Sequence, residues 1–532
     1  MTTQIKLKLD YLVYILLLFI SFIISFSYYV EPLAIETAMI SYDYIYYQDL
    51  TNFTKIQKNN SWSLIFQFVG LLLKFNFSII EISRITLLIS TIFFTFGIFL
   101  LAKSITSSTI LALLIAIISI TLKKSLGDLE YPALMFTQHI NGQLGLAFLT
   151  LIFGLYSCRN YFLTFLFSTI LLSVHLVLGA WINFLLFSSV ILFYKESYNF
   201  LKRKEIIFGI ILGLSITLIS FIFFYINKIP YSTVFDPIAY KEYMLYWDDH
   251  RTSYGNLGLF NYSYFFKSLL LFLLIVIFLK LNYYRNNLGL KLSLQTLAFS
   301  IFVSFSIYIT YHFFSDYYPS LIIRIIPNRL FITHSVLGYA GIFSLIYIII
   351  KNLFNKFNLK KINVFLIFTI ILVLHSFQHI HNFKQRFNFF QNDNLIKIKN
   401  DYIFWDKIKN YKTEGYFLTS NLACQPTLIY ALKTVLICPL DINMIPYMPR
   451  TVKIVKDLVE NVYDVSFNNP KYKHRGGLTD DELKNSFEKK SNNDWLSLKL
   501  KYKISALIVP STWDINLPKK ILGNNFTFYI ID

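Results

Sequence analysis

The chain has 532 residues, 55% of them hydrophobic and 15% charged, with a mean hydropathy of +0.52. A single water-soluble core is excluded, because apolar runs recur at the length, about 17–25 residues, that crosses roughly 30 Å of hydrocarbon as a helix. Much of the net charge of +19 lies in short loops between those runs, where Lys and Arg hold loops in the cytoplasm, so no nucleic-acid partner is expected.

The first run, Tyr11–Val30, is too long for a signal peptide and lacks a small-residue cleavage site, so it reads as a retained anchor. Further apolar segments fall at 78–102, 105–122, 140–157, 161–177, 179–194, 205–227, 264–281, 292–314, 328–350 and 362–379. Together they predict a polytopic α-helical membrane protein with about eleven transmembrane helices. His175 and Gly179 mark a turn between two short helices within 161–194. If Lys6 and Lys8 are cytoplasmic, the loops near Lys103 and Arg159 and at 194–204, 280–291 and 351–361 fall inside, and they are short and basic. Lys123 and Lys124 depart from that pattern. An odd number of spans then puts residues 384–532 outside.

The first outer loop, 31–62, carries Glu31, Glu36, Asp43 and Asp49, with Tyr42, Tyr44, Tyr46 and Tyr47 among them. These tyrosines form an interfacial belt or a platform for sugar rings. The following stretch has apolar residues at helical spacing but is broken by Gln67, Lys74 and Asn76, which predicts an amphipathic interfacial helix over 63–76. Glu81 and Arg84 open the second span.

Four later groups attract notice. Asp128 and Glu130 could line a site or bind a divalent metal, and a polar turn explains them equally well. Asp248, Asp249, His250 and Arg251 crowd the outer loop 228–263. Arg324 and Arg329 stand at the outer mouth of the tenth span, against the charge trend, where they either bind phosphate or snorkel to headgroups. Among His375, His379 and His381 only the first pair shares a helix face, and His175 reads as a packing histidine, so neither suggests a metal centre.

Residues 384–532 change character. Short apolar runs at 415–420, 434–438, 504–511 and 526–531 alternate with helical patterns, and Thr479 with Glu482 forms a capping box. That predicts a small α/β domain, with no phosphate loop, metal-ligand cluster or nucleophile elbow. Cys158 falls at a cytoplasmic helix end, where it stays reduced. Cys424 and Cys438 flank a short helical segment outside, as a disulfide worth about 3 kcal/mol or as two separate buried thiols.

The order of span, acidic loop, interfacial helix and span resembles the GT-C superfamily of membrane glycosyltransferases, which includes protein O-mannosyltransferases and lipid A aminoarabinose transferases. The residues that carry it are Asp43 to Asp49 and the stretch 63–85, and the resemblance in topology covers the whole chain. It implies a catalytic carboxylate in the first outer loop, a polyprenyl-phosphate sugar donor in the membrane lipid, and a lipid, glycan or protein acceptor. The family's double-acid signatures are absent, so no substrate carries over.

In such a transfer one carboxylate takes the acceptor's proton, an effect of about 10²–10⁴-fold, while cations stabilise the departing phosphate. Asp43 is the expected base, with Asp49 supporting or substituting; ordinary solvated loop acids are the alternative. Glu36 is a weaker candidate, since a helical extension of the first span accounts for it. Arg324, Arg329 and Arg251 are expected around the phosphate, with Glu36, Asp128, Glu130, Asp248, Asp249 and His250 as cleft-lining candidates. The rivals are a transporter or flippase of lipid-linked glycans, which would carry ionisable residues deep within spans, and a non-catalytic envelope-assembly protein.

Overall fold

The computed structural model describes residues 3–27, 35–41, 51–59, 62–121, 141–192, 203–226, 228, 233–248, 262–281, 287–314, 330, 332–356, 393–470 and 477–531. Each apolar segment from 11–30 to 328–350 coincides with a helix, and 362–379 lies outside the described residues. In the apolar bundle these helices are α1 (Thr3–Ser27), α5 (Ile79–Thr106), α6 (Thr109–Thr121), α7 (Asn141–Ser157), α8 (Tyr161–Val174), α9 (Leu176–Leu192), α10 (Lys204–Ile226), α12 (Tyr262–Lys280), α13 (Leu288–Phe314) and α14 (Ile332–Lys356). Among the described residues, Leu9–Phe26, Ile79–Thr106, Lys204–Ile226 and Leu288–Ile307 are long and apolar enough to cross a membrane, and shorter apolar helices pack beside them.

Small residues set the closeness of this packing. A Cβ at Gly97 of α5 would collide with the backbone of Thr150 in α7, and one at Gly154 would sit 2.5 Å from the Gly97 carbonyl oxygen. Gly209 and Gly213 bring α10 equally close to α8, where the Thr217 hydroxyl donates to the Thr169 carbonyl at 2.9 Å. Such backbone contact gives tight van der Waals packing, which holds helices together where hydrocarbon surroundings remove the hydrophobic drive.

Polar contacts distinguish the two ends of the bundle. At one end Lys103 pairs with Asp10 at 2.7 Å, Thr109 donates to Asp10 at 2.8 Å, and Arg159 donates to Asn287 at 3.2 Å. The other end holds α4 (Leu64–Lys74), shorter than the stretch expected but amphipathic as expected, burying Ile65, Val69, Leu72 and Leu73 while Leu71 and Lys74 stay exposed. It is tied down by Ser63 donating to the Val174 carbonyl at 3.0 Å and Gln67 to the Ser220 carbonyl at 2.9 Å. Beside it Ser78 and Glu81 cap α5 reciprocally, and the Arg84 guanidinium lies 5.1 Å from the centre of the Phe26 ring. His175 separates α8 from α9, its Nδ1 accepting from the Leu178 amide at 3.3 Å.

Two short helices lie within the loop 31–62, α2 (Ile35–Ser41) around Glu36 and α3 (Asn52–Lys58), the latter capped by Thr51 where only loop was expected. Glu36 therefore belongs to a helix separate from α1. In the loop 228–263, α11 (Pro237–Tyr246) starts with Pro237 behind an Asp236 cap.

The C-terminal domain contains α15 (Asp393–Asn410), α16 (Asn421–Ile429), α17 (Val452–Asn461), α18 (Asp480–Lys489) and α19 (Asn492–Tyr502) around a four-stranded sheet. Strands β1 (Tyr416–Thr419), β2 (Ile504–Pro510), β3 (Lys519–Leu522) and β4 (Phe526–Ile530) lie in the order β1-β2-β4-β3, with β1 parallel to β2 and the other pairs antiparallel. The run 434–438 is not a strand: only Val435 bridges to Phe417, because Pro439 opens a 3₁₀ turn directly afterwards. The capping box at Thr479 and Glu482 forms, and Ser491 with Asp494 forms a second. A disulfide joins Cys424 to Cys438. Cys424 lies inside α16, so the two cysteines do not flank a helix.

Candidate functional site

The helices of both loops, 31–62 and 228–263, complete the core of the C-terminal domain. From α3 come Phe53 and Ile56, and from α11 and its end come Ala239, Tyr243 and Trp247, all buried with Val455, Val459 and Phe467 of the domain. Ile40 of α2 enters a second cluster with Phe417, Cys424, Cys438 and Phe528. Burial at this junction is apolar at the centre and charged at the rim, where Lys456 pairs with Glu242 at 2.7 Å. Trp247 holds the contact in place: its Nε1 donates to the Phe467 carbonyl at 2.7 Å, and the two rings stack with centres 5.6 Å apart.

At this junction two carboxylates meet. Glu36 on α2 and Asp441 in the 3₁₀ turn Pro439–Met444 come within 4.8 Å of each other and of the Cys438 sulfur. That sulfur is committed to the disulfide, which removes the thiolate a metal would take and leaves two half-buried carboxyl groups. Burial, and then the nearby Glu36, push the Asp441 carboxyl well above the usual carboxylate range. Behind it the buried Tyr463 hydroxyl is raised too, by burial first and by Asp441 second. Two acids this close repel when both are ionised, which favours the protonated form of Asp441.

A folded value above the unfolded one means that the stabilisation is complete at low pH and is lost as pH rises through the folded value. Two ionised carboxylates at this separation repel by roughly 3 kcal/mol at an effective dielectric of about 20, and by less where water screens them. Asp441→Asn and Glu36→Gln are each expected to flatten the pH dependence of thermal unfolding. They should match the unsubstituted chain at pH about 4 and exceed it above the ordinary carboxylate range. Parallel unfolding curves across that range would remove the pair.

A cavity of about 830 Å³ lies between residues of the two loops and the C-terminal domain. The first outer loop lines it with Thr51, Phe53 and Lys55, and the second loop with Thr233 and Val234. The C-terminal domain adds Arg450, Lys453, Lys501 and Lys503, with Asp457 as the acid of the lining. Asp457 accepts from the Tyr502 hydroxyl at 2.9 Å and lies 3.9 Å from Lys501.

Of the residues expected from the sequence, Glu36 takes part in the acid pair. Asp248 is only 2% exposed, and it is not among the residues lining the cavity, because Trp247 beside it is drawn into the domain core. Asp43, Asp49, Asp128, Glu130, Asp249, His250, Arg251, Arg324 and Arg329 lie outside the described residues. Sequence reasoning missed Asp441, which follows Pro439 in an otherwise apolar stretch, and the cavity's cations. The alternating Lys499, Lys501 and Lys503 were the one local signal for the latter.

Apolar spanning helices joined to a small α/β domain define a helical membrane protein. Compared with known proteins, the chain matches no family model and no curated protein.

Proposed function

We propose that this chain is an integral-membrane glycosyltransferase of GT-C type. It moves a sugar from a polyprenyl-phosphate carrier to a lipid, glycan or protein acceptor at the extracytoplasmic face of a bacterial inner membrane. The observation that supports it most is the closure of both loops on the C-terminal domain at one end of an apolar bundle, with titratable acids and a cluster of cations in that contact. In this reading the bundle crosses the membrane eleven times. The end holding Lys103 and Arg159 is cytoplasmic, and the disulfide-bearing domain is outside.

The acceptor hydroxyl attacks the anomeric carbon, the bond from that carbon to the phosphate oxygen breaks, and the phosphate leaves with the electron pair. Asp43 takes the acceptor's proton, with Asp49 supporting or substituting, and Arg324, Arg329 and Arg251 stabilise the phosphate. The sequence between α2 and α3 carries Asp43 and Asp49, and both of those helices pack on the C-terminal domain. That anchoring at each end is what a base held over a membrane-borne substrate requires.

The test is carrier release: the full chain in lipid nanodiscs is incubated with polyprenyl-phosphate-linked sugars and acceptor extracts. Free polyprenyl phosphate forming only in the presence of both supports transfer. A folded, disulfide-intact chain that consumed no donor, in a strain whose lipid-linked sugars are unaltered by its deletion, would count against it.

A further inference from the structure

The cavity between the loops and the C-terminal domain concentrates more positive charge than its packing explains. Lys55 comes from α3, Arg450 and Lys453 from the approach to α17 and its first turn, and Lys501 and Lys503 from the end of α19. Three stretches far apart in sequence thus deliver five cations to one volume of about 830 Å³. Asp457 offsets Lys501, at 3.9 Å, whereas Lys55, Arg450, Lys453 and Lys503 have no ion-pair partner among the described residues. Like charges about 10 Å apart repel by roughly 0.4 kcal/mol each in water, and the repulsion grows wherever the wall excludes solvent. Phe53, Leu436 and Leu458 supply such apolar wall.

We propose that this cavity is a binding site for a multiply charged phosphate, a ligand whose oxygens neutralise these cations together. Arg450 supplies a planar fork for two phosphate oxygens, and the lysines supply flexible point charges that adapt to the second phosphate. The open mouth suits a group presented on a larger molecule, either a lipid headgroup at the membrane surface or a soluble phosphoryl-bearing glycan. Binding there seals the first outer loop against the domain, because Lys55 and the domain cations then share one counter-ion. The site is independent of glycosyl transfer, so its failure and the failure of that activity are separate results.

The probe is inorganic pyrophosphate, titrated calorimetrically into the full chain in nanodiscs of phosphatidylcholine. Saturable binding that weakens as salt rises is expected, and the triple variant R450Q/K453Q/K503Q is expected to bind at least about tenfold more weakly. Because these side chains are solvent-exposed, the variant should keep its melting temperature and its disulfide, and K453R/K503R should restore most of the affinity. Repeating the titration in discs that contain phosphatidic acid, whose phosphomonoester can carry two charges, separates the sources. Loss of pyrophosphate binding there assigns the site to a lipid headgroup, and unchanged binding assigns it to a soluble phosphate. Equal affinity in the triple variant, or no saturable binding to the unsubstituted chain in neutral discs, overturns the proposal.

Discussion

Asp43→Asn is expected to lower sugar transfer by a factor of about 10²–10⁴, the contribution of one general base. The amide keeps the size and most hydrogen bonds of the carboxylate but cannot take the acceptor's proton, so the loss should fall on kcat with KM for donor little changed. If Asp49 substitutes for it, Asp43→Asn alone leaves residual turnover and the double Asn variant removes it. Both should be measured in nanodiscs with the same donor, alongside a disulfide check that the C-terminal domain is folded. Full activity in the double variant would eliminate the first outer loop as the source of the base. The Glu36→Gln variant discriminates further. A purely structural Glu36 shifts thermal unfolding with pH, whereas a catalytic one also moves the pH profile of kcat.

Trp247→Ala should be the most damaging single truncation at the loop–domain junction. Removing a fully buried indole costs roughly 3–5 kcal/mol in comparable cores. The Phe467 carbonyl that receives its Nε1 hydrogen bond at 2.7 Å is left without that donor, at about 1–3 kcal/mol more. For a domain of this size the drop in melting temperature is on the order of 10 °C. The second outer loop should then detach, and limited proteolysis should cut near residues 233–248 in the variant before it cuts the domain. Trp247→Phe keeps a ring against Phe467 but loses the donor, so it should lie between the two. A variant with the unsubstituted chain's melting point and cleavage pattern would show that the loop is held elsewhere.

Much of the bundle was readable because long apolar segments specify helices wherever solvent is hydrocarbon, and the Thr479 capping box was readable because its chemistry spans four residues. The sheet was harder. Lys519–Leu522 is an exposed edge strand with two lysines and no alternation, so nothing marked it. The run 434–438 is buried and apolar like a strand, yet a turn residue just beyond it decided otherwise. The candidate site was legible only in part. Glu36 was noticed as a loop acid, but its partner Asp441 lies more than four hundred residues away in sequence, and no local pattern joins them. The same holds for Lys55 and the cations of the C-terminal domain, which only tertiary folding assembles.

Because Phe53, Ile56, Tyr243 and Trp247 supply part of the C-terminal interior, that domain lacks a complete core of its own. The ribosome delivers those side chains long before residue 393, so they are already waiting when the last segment emerges. Synthesis thus sets an assembly order: the earlier helices act as a template, and the late segment condenses on it. Defects in assembling the helical bundle will therefore be read out as misfolding of the C-terminal domain, with its apolar surface left exposed.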